Sequence, residues 1–297
     1  MRDAARWLAV YARFLSVGGF VLLLGILAAD LRWLDEGVLA LALGAGVVAL
    51  RAAPIRLSKY SYLTQSSIPV LVGVVLAAPP TIALAIAAGV VFSDLVILRK
   101  PLIAGAVNAG REVVAFAAAY GFYALAHGMA GVAELSLDWL PAAAVFAGAY
   151  FFLSRLLFYF SLLARAKLAL EERLFIIRWE IVSYLISLLA AGVVVWALAS
   201  LAPGGWPAVG IALAAIGVLT RTLIEEAIGA EDLNKVHMMQ GAIMTSPSLQ
   251  GTFAEVERLA YRLLDWGDLR IFRETPEGPV LAYRGAIGRP GRGDLDD

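Results

Sequence analysis

Apolar positions fall in long runs, each bounded by a short polar or charged cluster. Residues 7–29, 37–53, 102–127, 139–163, 176–200 and 206–228 are each predicted to form a membrane-spanning helix. About 20 apolar residues at roughly 1.5 Å per residue match a hydrocarbon core of ~30 Å. The stretch from Tyr60 to Leu98 contains "VLAAPPTIAL", and Pro79 and Pro80 cannot lie inside a helix without losing hydrogen bonds and clashing with the preceding turn. It is therefore either one broken span or two.

Basic residues, which favour cytoplasmic connections, decide between these. If the stretch crosses twice, turning at the prolines, then Arg2, Arg6, Arg51, Arg56, Lys59, Arg99, Lys100, Arg165, Lys167 and Arg173 all fall on one side. The other side keeps Arg32 with Asp30, Asp35, Glu36, Glu134 and Asp138. The prediction is an all-α polytopic membrane bundle of eight spans over residues 1–228, with both termini cytoplasmic. The outer connections, 30–36, 79–80, 128–138 and 201–205, are too short to form a ligand-binding domain. A ligand would have to be met within the bilayer.

Composition agrees with a membrane protein: of 297 residues, 61% are hydrophobic and 16% charged, and the mean hydropathy is +0.80, against about 25% charged in ordinary soluble domains. Lys plus Arg (24) equals Asp plus Glu (24), so no charge excess points to nucleic acid. There is no cysteine and there are only two histidines, which leaves no disulfide framework, thiolate site or histidine-rich metal site. The run from Trp7 to Ala29 exceeds the ~7–15 residue apolar region of a signal peptide and is read as a retained first span.

Ionisable residues within the spans are the candidate chemistry. Asn108, Arg111 and Glu112, at spacings of three and four, share one helical face. The large apolar residues of that span contribute roughly −4 kcal/mol to insertion against about +6 for Arg plus Glu, so this face must meet other helices. Arg111 lies roughly 13 Å deep and Asp94 about 6 Å deep from the cytoplasmic end, so a long arginine can reach back to the aspartate. Thr64 and Gln65 add to a polar stretch of the third span, and Arg155, Arg178 and Glu180 lie at similar depth. Two readings stay open: a polar cavity for a ligand or ion, built on Thr64, Gln65, Asp94, Asn108, Arg111 and Glu112, or interhelical pairing, with Arg155, Arg178 and Glu180 snorkelling at the interface.

After the last span, residues 229–247 are predicted to form an exit helix, with Leu233, Val236, Met239 and Ile243 at helical spacing. Residues 248–297 then give a second helix, with a capping pattern at Thr252 and Glu255 and a stripe from Phe253 to Leu263. Two strands follow between Asp268 and Gly288, joined by a Pro-Glu-Gly-Pro turn, and then a Gly-rich acidic end. The "RGD" at Arg292 to Asp294 is read as chance.

The order of helix, strand, turn and strand in "FAEVERLAYRLLDWGDLRIFRETPEGPVLAYRGAIG" resembles the start of a GAF domain. Residues 1 to about 230, notably "KYSYLTQSSIPVLVGVVLAAPP" and "NAGREVVAFAAAYGFYALA", look like the multi-spanning input modules of bacterial signalling proteins. A complete GAF domain is longer than this tail, so the hairpin is expected to open a domain completed in a longer parent or by a partner chain, or left incomplete. No phosphate-binding loop, zincin or nucleophile-elbow motif and no cyclase or kinase motif is present, so enzyme chemistry has no candidate residues, and no cofactor is specified. The resemblance implies a bacterial inner-membrane sensor that responds to a small or lipophilic signal and passes it to a cytoplasmic GAF-type output domain. Homodimerisation through the exit helix is a further expectation. The alternatives are a small-molecule transporter, since Pro-broken helices also mark substrate sites, and a scaffold.

Overall fold

The computed structural model describes residues 2–52, 54–57, 62–130, 140–163, 170–200, 206–245, 248–263 and 269–285. Tyr60, Arg165, Lys167, the outer connection 131–138, residues 201–205 and the end that carries Arg292 to Asp294 lie outside the described residues. The chain is mostly helical and divides into two compact units, one of residues 1–54, 63–165 and 177–217, the other of 55–62, 166–176 and 218–297.

The helices are α1 (Arg2–Arg13), α2 (Gly19–Ala29), α3 (Gly37–Ala52), α4 (Ser67–Leu76), α5 (Pro79–Phe92), α6 (Leu102–Ala130), α7 (Leu140–Leu163), α8 (Leu170–Ser200), α9 (Trp206–Thr245) and α10 (Leu249–Leu263). Short strands β1 (Ile55–Arg56) and β2 (Tyr62–Leu63) precede α4, and β3 (Leu269–Thr275) and β4 (Gly278–Gly285) follow α10. Among the described residues, Arg6–Ala29, Pro79–Ile97, Leu102–Gly128, Pro141–Phe160 and Arg173–Ser200 are long and apolar enough to cross a membrane. The helices of residues 37–52 and 67–76 are apolar but shorter.

In the first unit α6 is the centre and packs on α2, α5 and α7. Small residues make the closest approaches. Between α1 and α2 the chain widens into a π-helical turn at Phe14–Gly18, which sets the Leu15 carbonyl and Gly19 directly against Gly110 of α6. A Cβ on Gly110 would overlap the Leu15 carbonyl, and one on Gly19 would overlap the Gly110 backbone. Without a hydrophobic drive between helices in lipid, such close backbone packing is a main source of association. Gly89 of α5 meets Val47 of α3 in the same manner. Rings fill the α6–α7 contact, with Phe146 edge-on to Phe116 and Tyr123 and stacked on Tyr150.

The prolines act differently from the predicted turn. The break falls at Ala77 and Ala78, and Pro79 and Pro80 open α5, where a missing N–H costs nothing. Glu36, just before α3, accepts hydrogen bonds from Ala78 N (2.9 Å) and Thr81 Oγ1 (2.6 Å) and so caps this start. At the far end Arg51 of α3 reaches Asp94, just past α5. Helices α3 and α5 therefore run parallel, and α4 belongs to the return between them. The last apolar segment and the predicted exit helix are one helix, α9. Its 40 residues reach roughly 60 Å, about twice a hydrocarbon core of ~30 Å.

In the second unit, α10 begins one turn earlier than the predicted cap at Thr252. Ser248 Oγ accepts from Gly251 N (3.1 Å), and the Thr252 hydroxyl, inside the first turn, donates to the Ser248 carbonyl. Strands β3 and β4 pair antiparallel from Leu269 opposite Gly285 to Thr275 opposite Gly278, with a bulge that leaves Ala282 without an opposite number. The turn is Pro276 and Glu277, closed by Gly278 at φ 119° and by the Thr275 hydroxyl on the Gly278 carbonyl (2.6 Å). Positive φ is open to glycine and strained for other residues. The hairpin packs on α10 through Tyr283, which lies against Phe253 and donates to the Glu257 carboxylate. Burial first, and the Glu257 carboxylate second, push the Tyr283 hydroxyl up to about 12.

Gly110→Ala is expected to destabilise the bundle by about 1–3 kcal/mol or more through overpacking. Gly121→Ala on the same helix, where a Cβ meets open space, is expected to gain up to about 1 kcal/mol from helix propensity. Thermal unfolding in detergent compares the two. For Tyr283 the folded state holds the proton to higher pH than the unfolded chain, so its contribution is complete below about pH 10 and is lost as pH rises toward 12. Tyr283→Phe is expected to flatten the stability of the α10–hairpin contact across that interval, followed by hydrogen exchange.

Candidate functional site

The polar groups of the bundle form three clusters. The first is centred on Asp94. Past Phe92 the chain takes a π-helical turn, Ser93–Ile97, closed by Leu98 N donating to the Ser93 carbonyl. Arg99 then adopts a left-handed φ of 49°, and Lys100 N returns to the Asp94 carbonyl (2.8 Å). This path buries the Asp94 side chain completely. Its Oδ1 accepts from Arg51 Nε (3.1 Å) and Lys100 Nζ (3.0 Å), and its Oδ2 from Arg51 Nη2 (3.0 Å) and Asn108 Nδ2 (2.6 Å). A carboxylate has about four lone-pair sites, and all are taken. The two bonds from Arg51 form the bidentate fork that makes arginine–carboxylate pairs strong.

The predicted Arg111–Asp94 pair is replaced by this arrangement. Arg111 instead turns to its own neighbour, with Nη2 2.8 Å from Glu112 Oε1, and stacks its guanidinium over Phe158. The other Glu112 oxygen accepts from the Tyr150 hydroxyl of α7 at 2.9 Å. Thus the shared face of α6 divides: Asn108 serves Asp94, while Arg111 and Glu112 face α7. The third cluster joins α7 to α8, with Arg155 Nη1 3.4 Å from Glu180 Oε1 and the Tyr159 hydroxyl 2.8 Å from Glu180 Oε2. Glu180 is buried, which corrects its reading as an interfacial group. Arg178 is exposed and lies over the Trp179 ring.

Thr64 and Gln65 do not join these clusters. Thr64 Oγ1 lies 3.1 Å from Ser66 Oγ, and the Gln65 carbonyl accepts from Ile68 N, so both shape the turn into α4. Sequence reasoning placed Arg51 and Lys100 in connections and missed them as partners of Asp94, and it missed Tyr150 and Tyr159. Among the described residues no group of three or more His, Asp or Glu side chains is placed to hold a metal ion. The clusters are internally matched polar links between helices, not open coordination sites.

Open space lies elsewhere. A cavity of about 750 Å³ sits between α4, α7 and α8, with Leu71, Val74, Phe146, Phe151, Ile181 and Leu188 among its walls. Small residues create it: Ala143, Ala144, Ala147 and Gly148 on α7 face Ala191 and Gly192 on α8. The Tyr184 hydroxyl on its wall donates to the Ala147 carbonyl (2.7 Å). The walls are therefore almost wholly apolar, and the volume falls in the range of ~300–1,000 Å³ that suits a small-molecule ligand. No family model matches the chain, and comparison with curated proteins and with solved structures finds no match.

Asp94→Asn leaves Arg51 and Lys100 beside a neutral amide. It is expected to destabilise the bundle by about 3–5 kcal/mol, the range for breaking a buried ion pair by removing one partner. The double replacement Arg51→Met with Asp94→Leu should lose less than the single change, because it leaves no uncompensated charge. Unfolding in mixed detergent micelles measures both.

Proposed function

We propose that the chain is the membrane-embedded input module of a signalling protein, binding a lipophilic ligand in the cavity between α4, α7 and α8. The observation that carries this reading is the cavity itself, a space of about 750 Å³ with apolar walls, beside polar clusters that are already satisfied. An apolar ligand gains from such walls at roughly 25 cal/mol per Å² removed from water, whereas an ion finds no free ligand set there. The eight-span arrangement fits the parallel course of α3 and α5, because both Arg51 and the Arg99–Lys100 pair then lie at one end of the bundle. That end is the cytoplasmic one by the bias of basic residues. Bacterial inner membrane is the location this topology and the resemblance favour.

Output passes along α9, which carries the chain from the last apolar segment to Thr245 without interruption, into the α10–hairpin tail that resembles the opening of a GAF domain. A ligand shifts such a system only through different contacts in two states; α8 lines the cavity and is the element whose position ligand would bias. The transporter reading draws on the break between α4 and α5, since broken helices often mark substrate sites. Glu36 already occupies the amide and hydroxyl donors at that break, which weighs against it.

Gly148 and Gly192 line the cavity and have room for a Cβ. Gly148→Leu and Gly192→Leu should fill it without disturbing the fold. Hexadecanol retained by the purified chain, counted by native mass spectrometry, is expected to fall at least tenfold in either variant while thermal stability holds. Unchanged retention in both would remove the cavity from the mechanism.

A further inference from the structure

A second recess, of about 280 Å³, lies between α1, the first turns of α6 and the end of α7. Its walls are mainly apolar, with Leu8, Leu15, Ile103 and Phe158 among them, and Arg111 is the charged group on its surface. The Tyr11 hydroxyl, also on the wall, is committed to the Leu157 carbonyl. Arg111 has a side chain only 11% exposed. One of its nitrogens serves Glu112, and its buried Nε meets no acceptor among the described residues. A guanidinium carries five N–H donors in a planar fork suited to a carboxylate or phosphate.

The charge balance around it points the same way. Among the described residues of this end of the bundle, Arg51, Lys100, Arg111 and Arg155 face Asp94, Glu112 and Glu180. Each carboxylate is already shared: Asp94 between Arg51, Lys100 and Asn108, Glu112 between Arg111 and Tyr150, Glu180 between Arg155 and Tyr159. One cation is in surplus, and a partly buried charge without a counter-charge is costly. Side chains on a helix lean toward its N-terminus, so the Arg111 guanidinium is carried toward the level of Ala104 and Val107, which line the same recess.

We propose that this recess binds the anionic head, a carboxylate or phosphate, of a single amphiphile. The head accepts hydrogen bonds from Arg111 and supplies the missing negative charge, and the adjoining methylenes lie against Leu8, Leu15 and Ile103. The site is separate from the cavity between α4, α7 and α8, shares no lining residue with it, and does not depend on the signalling reading.

The test uses the full chain in nanodiscs of neutral phosphatidylcholine, with palmitate and phosphatidic acid as probes and hexadecanol as the uncharged comparison, bound molecules being counted by native mass spectrometry. Ala104→Phe fills the recess from α6 without touching a charge, and Ala12→Leu does so from α1. Retention of palmitate, of phosphatidic acid or of both is expected to fall at least tenfold in these variants and in Arg111→Gln, with hexadecanol unaffected by the two filling changes. Loss of palmitate alone identifies a free acid as the natural source, and loss of phosphatidic acid alone a lipid headgroup. If both anions bind as tightly to Ala104→Phe and Ala12→Leu as to the unaltered chain, or bind no better than to Arg111→Gln, the site does not exist. Gly148→Leu serves as the internal check, since it should leave both anions bound whatever it does to hexadecanol.

Discussion

A carboxylate removed from water is tolerable only if its charge and its lone pairs are both met, and Asp94 sets the terms for the first unit on that account. The idealised cost of moving such an ion into a medium of low dielectric is on the order of 20 kcal/mol. Asp94 offsets this with a bidentate guanidinium, an ammonium and a carboxamide, drawn from α3, from the loop after α5 and from α6. Three helix ends are consequently fixed relative to one another by a single side chain. The π-helical turn at Ser93–Ile97 and the left-handed backbone of Arg99 are the local distortions that let the aspartate turn inward and Lys100 fold back over it. At the opposite end Glu36 holds α5 to the start of α3. Between these two carboxylates the packing is by glycine, alanine and rings, where contact distance matters more than chemistry.

The polar clusters and the apolar cavity answer to the same constraint in opposite ways. Where the bundle buries charge, each carboxylate is supplied with donors from a neighbouring helix, and the helices are tied. Where α7 and α8 present alanine and glycine, no polar link demands closure, and space remains. Tyr184 marks the border: its ring packs on Phe151 and its hydroxyl on the Ala147 carbonyl, which completes the polar side and leaves only hydrocarbon on the other. A ligand that enters there meets a surface whose hydrogen bonds are already made.

Much of the helical layout could be read from the order of residues, because the length of an apolar run and the position of a proline pair are local properties. The runs 7–29, 102–127 and 139–163 reappear as helices with small changes at their ends. The partners of buried charges were less legible. Spacing told that Asn108, Arg111 and Glu112 share a face, but not how α6 is rotated against α3 and α7, and a rotation of this kind decides whether Asp94 meets Arg111 or Arg51. Arg51 looked like a loop charge because it stands three residues before Pro54, while its side chain points back into the bundle. Ser248 and Thr252 both fit a helix cap, and only the hydrogen bonds choose between them. The cavity had no signal of its own in the sequence, since it arises from small residues on two helices that lie far apart along the chain.

The π-helical turn at Phe14–Gly18 makes the first helix sensitive to insertion and deletion in a way substitution is not. Such a turn holds one residue more than an α-helical turn. Removal of one residue from it would restore α-helical winding and rotate everything beyond by about 100°. Gly19 would then leave the groove where Gly110 receives it, and a larger side chain of α2 would take its place. The phase of the helix, and not only its composition, is thus written into those five residues.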